Sequence, residues 1–584
     1  MQHLRVARAL SAGVTLTAFG VSAQTSPPLP DFANAARSAA QQQQLIEQQR
    51  QAQERAQAVN APVVRAGTPK AAGWPELPAG TPCFRIQSFV LDIPETLPDA
   101  VRAQGASALP QDRFAFAREW LDHYSGQCVG KQGVELIVKG LAQVILSRGY
   151  ITTRVLVPEQ DLSKGTLRFS LVPGVIRQLR FADSATRGTW KSAFPARGGD
   201  LLDLRDLEQG LEQMKRVASQ DVDMQVVPTG TPGESDVEIT VKRTKPWSVV
   251  ASIDNSGTRA TGKLQGNLGV GIDNPLGLND IFNVGANQDL ELGDKSLGSH
   301  GWNGSYSVPW GYWTATLFGN TNTYYQQIAA VNQTFVSSGN SQIAGLKLQR
   351  VLRRSQDDVF GFEAQLTKRW GASFIEDTEI PQQHRDNTFI EAGLTDRHYF
   401  GAAQFDGTLA YRQGIGWLGA MPDTANGPTY RFHMAVLDAN LSVPFSVASQ
   451  SLRYVTTFHG QFTNNTLNYI DDLTIGSRYT VRGFDGETLL AAERGFYWRN
   501  ELQLPIGQTR HSFYAGIDYG QVFGPSTAFL AGTQLAGVVI GLRGSMPARI
   551  GSFAYDLFAG TPIYKPSGFP TARVAAGFQL TAQF

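Results

Sequence analysis

The sequence predicts a transmembrane antiparallel β-barrel of about 16 strands over residues 249–584, preceded by a helix and two smaller α+β units. Residues 249–584 are built from segments of about ten residues in which apolar and polar side chains alternate, separated by turns rich in Gly, Asn, Asp and Pro. Helical periodicity occurs only before this region. At roughly 20 residues for each strand and its connection, the region holds about 16 strands, and a barrel of that size encloses an aqueous channel.

Alternation is clearest in the last strand, where Phe578, Leu580 and Phe584 share one face and Gln579 and Gln583 share the other. A face toward lipid and a face toward a wet lumen explain this pattern, whereas a soluble β-sandwich would bury its apolar faces in a core. The aromatic Phe584 resembles the recognition signal for barrel assembly, and it also fits the aromatic girdle of a membrane barrel.

The first 23 residues have the features of a secretory signal peptide. Arg5 and Arg8 supply the positive start, residues 9–20 are apolar or small, and Val21-Ser22-Ala23 offers small residues for cleavage. The apolar run is too short to span a bilayer as a helix, so we expect residues 1–23 to direct export.

Residues 33–59 are rich in Ala, Gln, Glu and Arg and contain neither Gly nor Pro, which predicts a helix about 40 Å long. Its few apolar side chains cannot form a core-facing stripe. Taken alone, the composition suits a solvated arm, and it also suits a helix lodged in an aqueous lumen. Residues 60–82 contain five prolines and are predicted to be an extended linker.

Residues 83–174 and 175–244 are predicted to form two α+β units that share the order strand, helix, helix, strand, strand. The first unit contains both cysteines of the chain, Cys83 and Cys128. In an exported protein they fit one disulfide, with two buried free thiols as the alternative. Two cysteines alone do not supply the four ligands of a structural zinc site, and no His cluster lies nearby.

Several stretches resemble the outer-membrane transporters of two-partner secretion. They are Ile253-Asp254-Asn255-Ser256-Gly257, Asp273-Asn274-Pro275-Leu276-Gly277-Leu278-Asn279-Asp280, Ile475 to Phe484, and Arg494 to Glu501. The tandem α+β units resemble POTRA domains, and the layout with a Gln-rich helix is most similar to the transporter of filamentous haemagglutinin. The resemblance covers nearly all of the chain that follows the signal peptide.

This resemblance implies a 16-stranded barrel with an N-terminal plug helix, two periplasmic POTRA domains and a long loop, residues 466–493, that folds back into the barrel. The tip of the loop, Val481-Arg482-Gly483-Phe484, matches the family motif, and Asp518 matches its acidic partner in the barrel wall. Asp518 also falls on the polar face of its strand. A charge-assisted pair with Arg482 would contribute about 1 kcal/mol in a wet lumen. The alternative leaves Arg482 at a solvated turn and Asp518 paired elsewhere.

The function that the resemblance implies is secretion of a haemagglutinin-type adhesin, captured by the POTRA domains and passed through a barrel embedded in outer-membrane lipid. The barrel-assembly machinery is expected as a partner during biogenesis. We expect no ATP and no cofactor, since the sequence has no phosphate-cradling GxxxxGK[ST] motif. The alternative is an insertase of outer-membrane proteins from the same superfamily.

Two other classes of function are not supported by the sequence. A net charge of +1 with 17% charged residues argues against a nucleic-acid binder, which would show a basic excess. The eight His and the scattered Ser and Asp form no recognisable nucleophile and base constellation, so we expect no enzymatic activity.

Overall fold

The computed structural model describes residues 44, 48, 49, 52, 63–67, 69, 73–105, 112–291, 297–329, 334–423 and 427–584. The predicted signal peptide, residues 1–23, lies outside the described residues, as does most of the predicted helix, residues 33–59. The four described residues of that helix are helical. Among the described residues, no helix is both long enough and apolar enough to cross a membrane.

The first α+β unit packs three helices against two small sheets. The elements are β1 (Cys83–Arg85), β2 (Ser88–Asp92), α1 (Asp99–Gly105), α2 (Ala115–Asp122), β3 (Cys128–Gly130), α3 (Lys131–Ser147), β4 (Arg154–Leu156) and β5 (Thr166–Val172). Strand β2 pairs in parallel with β5 and β5 pairs antiparallel with β4, while β1 and β3 form a separate antiparallel pair.

The core of this unit forms because α3 presents Ile137, Leu141 and Ile145 at helical spacing to buried side chains of the sheet. The first predicted strand of this unit is divided into two, because β1 pairs with β3 whereas β2 pairs with β5. Helix α1 was not predicted, since it is short and ends at Gly105.

The second unit is a three-stranded sheet in the order β6-β8-β7, covered by one helix. Its elements are β6 (Val175–Phe181), α4 (Leu204–Lys215), β7 (Gln220–Pro228) and β8 (Glu234–Arg243). The predicted repeat of two helices was wrong. Residues 182–203 form turns, with Gly188 and Gly199 in left-handed backbone conformations that interrupt a helix. The side chain of Asp203 caps α4 by accepting a hydrogen bond of 2.8 Å from the Arg205 amide.

Within the described residues, sixteen long antiparallel strands close into a barrel, with a two-residue strand, β16, paired beside β15. The predicted strand number is therefore confirmed. The long strands are β9 (Trp247–Asp254), β10 (Gln265–Asp273), β11 (Ile281–Asp289), β12 (Gly298–Trp310), β13 (Trp313–Ala329), β14 (Thr334–Arg354), β15 (Asp358–Ile375), β17 (Arg385–Phe400), β18 (Ala403–Ile415), β19 (His433–Val447), β20 (Gln450–Phe462), β23 (Arg494–Pro505), β24 (His511–Phe523), β25 (Gln534–Pro547), β26 (Ser552–Tyr564) and β27 (Ala575–Gln583). The two-residue strand is β16 (Thr378–Glu379).

The barrel closes where β27 pairs with β9, from Gln579 opposite Asp254 to Gln583 opposite Val250. The rim that lies next to the α+β units is here called the proximal rim, and it carries the turns after β10, β12, β14, β17, β19, β23 and β25. The opposite rim is called the distal rim. Phe584 extends the closing pair at the proximal rim, where its amide and carbonyl bond the backbone of Val249.

Strand β24 shows how the barrel wall separates its two faces. Phe513 and Ile517 are 52% and 54% exposed on the outer face, while Tyr514 and Asp518 are 5% and 0% exposed on the inner face. The polar side chains therefore point into the barrel and the apolar ones point outward. This arrangement is opposite to that of a soluble sandwich.

The segment between β20 and β23 begins at the distal rim and folds into the barrel. It contains a short hairpin of β21 (Leu473–Ile475) and β22 (Leu490–Ala492). Val481 and Phe484 at its tip pack with the buried wall residues Val522 and Leu535. This segment, called the inward loop below, includes the predicted loop of residues 466–493.

Candidate functional site

The tip of the inward loop lies directly against the barrel wall. Gly483 has a φ of +101°, and a side chain there would come within 2.7 Å of the Thr561 carbonyl oxygen. A side chain at Gly537 would come within 2.0 Å of the Arg482 carbonyl oxygen. Because both positions are glycine, the loop backbone can contact the barrel wall directly. This contact fixes the backbone position from which the Arg482 side chain extends.

Arg482 binds two carboxylates of the wall. Its Nε donates to Oδ2 of Asp518 at 2.7 Å, its Nη2 donates to Oδ1 of Asp518 at 2.9 Å, and its Nη1 donates to Glu501 at 2.5 Å. The Arg482 amide also donates to Asp518 at 3.0 Å. The sequence-predicted residues Arg482 and Asp518 are thus brought together in a bidentate pair.

The environment of this pair differs from the expected wet lumen. The side chain of Arg482 is 6% exposed and that of Asp518 is not exposed at all. Glu501 is shared with Arg543, which reaches it at 2.8 Å. A contribution of about 1 kcal/mol suits an exposed pair, whereas removal of one partner from a buried pair typically costs about 3–5 kcal/mol. Glu501 and Arg543 were not among the predicted site residues, although Glu501 falls on the predicted polar face of β23.

Two residues of the N-terminal helix contact the inward loop. Gln44, which is 4% exposed, donates to the carbonyl oxygens of Tyr469 and Asp472. Gln48 donates to Thr474 and accepts a hydrogen bond of 2.7 Å from the Ser477 hydroxyl. Residues four apart share one face of a helix, so this face lies against the loop inside the barrel. Of the two interpretations of residues 33–59, the described contacts favour the helix in the lumen.

The inward loop is also held near the distal rim. Glu487 accepts a hydrogen bond of 2.9 Å from the Lys263 ammonium and one of 3.1 Å from the Arg259 amide, both on the connection between β9 and β10. At the base of the loop, Glu493 accepts a hydrogen bond of 2.8 Å from the Ser526 hydroxyl. The loop is therefore fixed at its tip, at its flank and at its base.

The second α+β unit docks on the proximal rim through a buried charge cluster. Arg354, at the end of β14, has a side chain that is 2% exposed and donates to Glu212 at 2.5 Å. It also lies 3.7 Å from Glu208 and donates to Gln209 at 2.9 Å. Arg205 donates to Glu208 at 2.8 Å. Two buried cations and two carboxylates thus connect helix α4 to the barrel wall.

The linker before the first unit crosses this same junction. The amides of Val64 and Ala66 donate to Glu212 at 3.3 Å and to Glu208 at 2.6 Å, and Arg354 donates to the Val64 carbonyl oxygen at 3.0 Å. Arg65 pairs with Asp357 at 2.5 Å. The chain that leads to the N-terminal helix is therefore bound both to α4 and to the proximal rim.

The turn after β10 forms a second contact with the docked unit. The Asn279 side chain donates to the Thr189 carbonyl oxygen at 2.7 Å, and the Thr189 amide donates to the Gly277 carbonyl oxygen at 2.9 Å. Ser192 donates to the Leu278 carbonyl oxygen at 2.7 Å. The sequence motif at 273–280 thus shapes a turn that receives the second α+β unit.

Comparisons with known proteins agree with this architecture. The family described as "Haemolysin secretion/activation protein ShlB/FhaC/HecB" matches residues 233–544, a ShlB-type POTRA domain matches residues 97–174, and a second POTRA domain matches residues 175–228. The chain belongs to the ShlB/FhaC/HecB family. It is 65% identical to "Outer membrane transporter CdiB-2" of Burkholderia pseudomallei (strain 1026b), over 98% of each chain.

Solved structures support the same assignment. CdiB from Acinetobacter baumannii superposes with a TM-score of 0.80 at 27% identity, covering 94% of this chain and 99% of that chain. CdiB from Escherichia coli gives a TM-score of 0.79 at 26% identity, covering 96% and 100%. The predicted resemblance to two-partner secretion transporters is confirmed, and these three relatives all carry the name CdiB.

As a member of this family, the chain is an outer-membrane transporter that secretes a partner exoprotein, and its POTRA domains bind that partner. The two α+β units are the POTRA domains and lie in the periplasm, so the proximal rim is the periplasmic rim. The distal rim faces the cell exterior. The inward loop therefore enters the barrel from outside, while the linker contacts the barrel at its periplasmic rim.

The pKa values of two carboxyl groups at the start of helix α4, in the second POTRA domain, are shifted by burial. Burial raises the pKa of Asp203 to about 6, and the charges of Asp206 and Glu208 add to that rise. Burial also raises the pKa of Asp206, although a hydrogen bond from the Tyr312 hydroxyl opposes the shift. The pKa of Tyr312, in the periplasmic turn after β12, is raised by burial and by Asp206. Burial at the start of α4 thus disfavours the ionised forms of Asp203 and Asp206.

Cys83 and Cys128 form a disulfide in the first POTRA domain, so the alternative of two free thiols was wrong. The bond joins the start of β1 to the start of β3, and the two cysteines are 45 positions apart in the sequence. Phe584 is 42% exposed at the periplasmic end of the closing strand.

Proposed function

We propose that this transporter exports its partner by plug exchange. The N-terminal helix, which contacts the inward loop through Gln44 and Gln48, leaves the lumen when the POTRA domains capture an unfolded partner. The partner then threads outward through the vacated barrel. The observation that carries this proposal is the helix face bound inside a barrel wide enough to contain an aqueous channel.

Polar contacts suit a helix that has to leave. The bonds of Gln44 and Gln48 to the loop are made by side-chain amides and hydroxyls, which regain hydrogen bonds from water when the helix departs. An apolar interface of the same area would resist release more strongly, since its burial is favourable in water. The Gln-rich composition of residues 33–59 is consistent with reversible occupancy.

The direction of transport in this proposal comes from folding of the partner outside the cell. A segment that folds at the surface cannot return through the barrel unless it unfolds, so each folded segment advances the chain. No ATP and no enzymatic step are required, and the sequence contains no GxxxxGK[ST] motif. Capture by the POTRA domains is proposed to use exposed sheet edges, to which an extended partner segment can add a strand.

The partner is proposed to be an exoprotein of the class served by CdiB transporters. Support comes from the 65% identity to CdiB-2 over 98% of both chains. A haemagglutinin-type adhesin, which the sequence resemblance implied, is less well supported because CdiB-2 and the two solved structures carry the CdiB name. We also propose that the barrel-assembly machinery recognises the last strand with its exposed Phe584.

Deletion of the gene is the direct test of this assignment. One large exoprotein is expected to disappear from the surface and accumulate in the periplasm, while other outer-membrane proteins keep their abundance. Loss of many barrel proteins instead would contradict the proposal and support an insertase. Replacement of the chain by CdiB-2 should restore surface display if the cargo class is correct.

A further inference from the structure

The inner face of strands β10 to β13 differs from the rest of the barrel wall. The outer face of these strands is marked by exposed apolar side chains, namely Leu268, Phe282, Trp302 and Leu317. Because side chains alternate along a strand, the residues next to them point into the lumen. Six of these inward residues are asparagines, called the amide patch below: Asn267, Asn283, Asn287, Asn303, Asn320 and Asn322.

The asparagines of the amide patch lie beside one another on neighbouring strands. Asn267 is paired in register with Asn287, and Asn303 is paired with Asn320. Among the residues that the structure describes, none of the six side-chain amides has a hydrogen-bond partner. The patch therefore presents both donors and acceptors to the lumen.

Glycines between the asparagines keep this surface shallow. A Cβ at Gly285 would lie 2.7 Å from Oδ1 of Asn303, and a Cβ at Gly301 would lie 2.8 Å from Oδ1 of Asn287. The amides therefore extend over bare backbone instead of standing between other side chains. A second polypeptide backbone can approach such a surface closely.

Ion pairs, in contrast, line the inner face of strands β14 to β18. These pairs are Lys347 with Glu363, Arg412 with Glu391 and Arg397 with Asp406. On the described residues of β10 to β13, the charges that face inward are confined to the strand ends, at Asp273 and Asp289. The amide patch is therefore the part of the wall where the lumen is lined by uncharged polar groups.

An uncharged amide surface suits contact with a moving, unfolded polypeptide. Every residue of such a chain carries a peptide group, which an asparagine amide can bond in either direction. Each bond replaces one to water, so its net free energy is small and the chain is not arrested. A fixed charge would instead hold passing residues of opposite sign more strongly and repel those of the same sign.

We propose that the amide patch is the surface along which the extended partner slides during export. This inference rests on the proposed threading of the partner through the vacated barrel. The tip of the inward loop lies against β24 to β26, where Arg482 binds Asp518. Asn283 and Asn303 are exposed in the same structure, so a chain reaches the patch without displacement of the loop tip.

The test is photo-crosslinking in secreting cells, with p-benzoylphenylalanine in place of Asn283 or Asn303 of the full-length chain. The probe is the exoprotein that a strain lacking the transporter retains in its periplasm. Asn440 is the matched control position, because it also faces the lumen, on β19, but accepts a hydrogen bond of 2.9 Å from Thr457. We expect at least about tenfold more adduct from positions 283 and 303 than from position 440, since the channel is wider than an extended chain.

A change of charge gives a second, independent readout. Asn303→Lys should reduce the amount of surface-displayed exoprotein about tenfold, because the ammonium holds passing carboxylates. Asn303→Gln keeps the amide and should secrete normally, as should Asn440→Lys on the other part of the wall. Heat-modifiable migration on gels checks that every variant contains an assembled barrel.

The results distinguish failure of this inference from failure of plug exchange. Equal adduct formation at positions 283, 303 and 440 would overturn the sliding surface and leave threading through the barrel intact. Adducts at none of the three positions, while the exoprotein still reaches the surface, would overturn both. Normal secretion by Asn303→Lys would also contradict the proposed role of an uncharged surface.

Discussion

The guanidinium of Arg482 and the carboxylate of Asp518 form two parallel hydrogen bonds, of 2.7 and 2.9 Å, between the inward loop and the barrel wall. Asp518 has no exposed surface, and the amide of Arg482 also donates to it. The pair therefore fixes both the side chain and the backbone of the inward loop. Since the N-terminal helix contacts the same loop, the pair also determines the surface on which that helix rests.

Arg482→Ala should impair secretion while the barrel still assembles. The substitution leaves Asp518 and Glu501 without their shared cation, and such a buried loss costs about 3–5 kcal/mol, which is enough to release the loop tip. Secretion of the partner and heat-modifiable migration on gels measure the two effects. Arg482→Lys is the control: it keeps the charge but not the bidentate geometry, so an intermediate defect is expected. Normal secretion by Arg482→Ala would show that the pair is dispensable.

Arg354→Met should loosen the second POTRA domain from the barrel. Glu208, which is 1% exposed, and Glu212 would then face each other without a cation from the wall. Distances between spin labels on the POTRA domain and on the turn after β19 should broaden. Lys347→Met, which removes another cation of β14 that pairs with Glu363 at 2.8 Å, should leave these distances unchanged. If the double substitution Glu208→Gln and Glu212→Gln does not relieve the defect of Arg354→Met, charge pairing is not its cause.

The start of helix α4 should become more stable as the pH falls from 7 to 5. The pKa of Asp203 is about 6 in the folded protein and near 3.8 when unfolded, so the folded state takes up a proton first. Its contribution is therefore present at low pH and is lost as the pH rises through about 6, by on the order of 2 kcal/mol. Hydrogen exchange of α4 amides in the full-length chain, corrected for intrinsic rates, measures this. Asp203→Asn should remove most of this pH dependence. An unchanged pH profile in that variant would show that another group causes it.

Removal of the disulfide should destabilise the first POTRA domain alone. Cys83→Ala with Cys128→Ala frees a loop of 45 residues in the unfolded chain, which lowers the free energy of unfolding by about 4 kcal/mol in the chain-entropy account. Helix α3 should exchange faster and be cleaved more readily by protease. The barrel provides the internal reference, because its heat-modifiable migration should not change. Equal protease resistance with and without the bond would contradict this prediction.

Features of the site that depend on local sequence could be predicted, whereas contacts between distant parts of the chain could not. A two-residue period is sufficient to place Asp518 on an inner face and Ile517 on an outer one, so the polar wall was predictable. The same period does not reveal that Glu501 shares Arg482 with Asp518, because that depends on the register between β23 and β24. Local composition predicted a helix at Gln44 and Gln48, but their contacts are with residues more than 400 positions later.

The junction of Arg354 with Glu208 and Glu212 was not predictable for a related reason. Each of these residues is an ordinary charged side chain on the polar face of its own element, and only the docking of two domains buries them together. The absence of a second helix in the second POTRA domain arose from backbone conformation. Gly188 and Gly199 take positive φ angles, which hydrophobic periodicity does not reveal.

A disulfide between the helix and the inward loop should stop secretion reversibly. Gln48 and Ser477 are joined by a hydrogen bond of 2.7 Å, so Gln48→Cys with Ser477→Cys places two thiols within reach of each other. Under oxidising conditions the helix cannot leave, and the partner should remain in the periplasm. Planar-bilayer recordings should then show fewer channel openings than the wild-type chain. Reduction should restore both secretion and conductance, and each single substitution serves as the control. Undiminished secretion by the oxidised, crosslinked protein would mean that the partner passes without displacement of the helix.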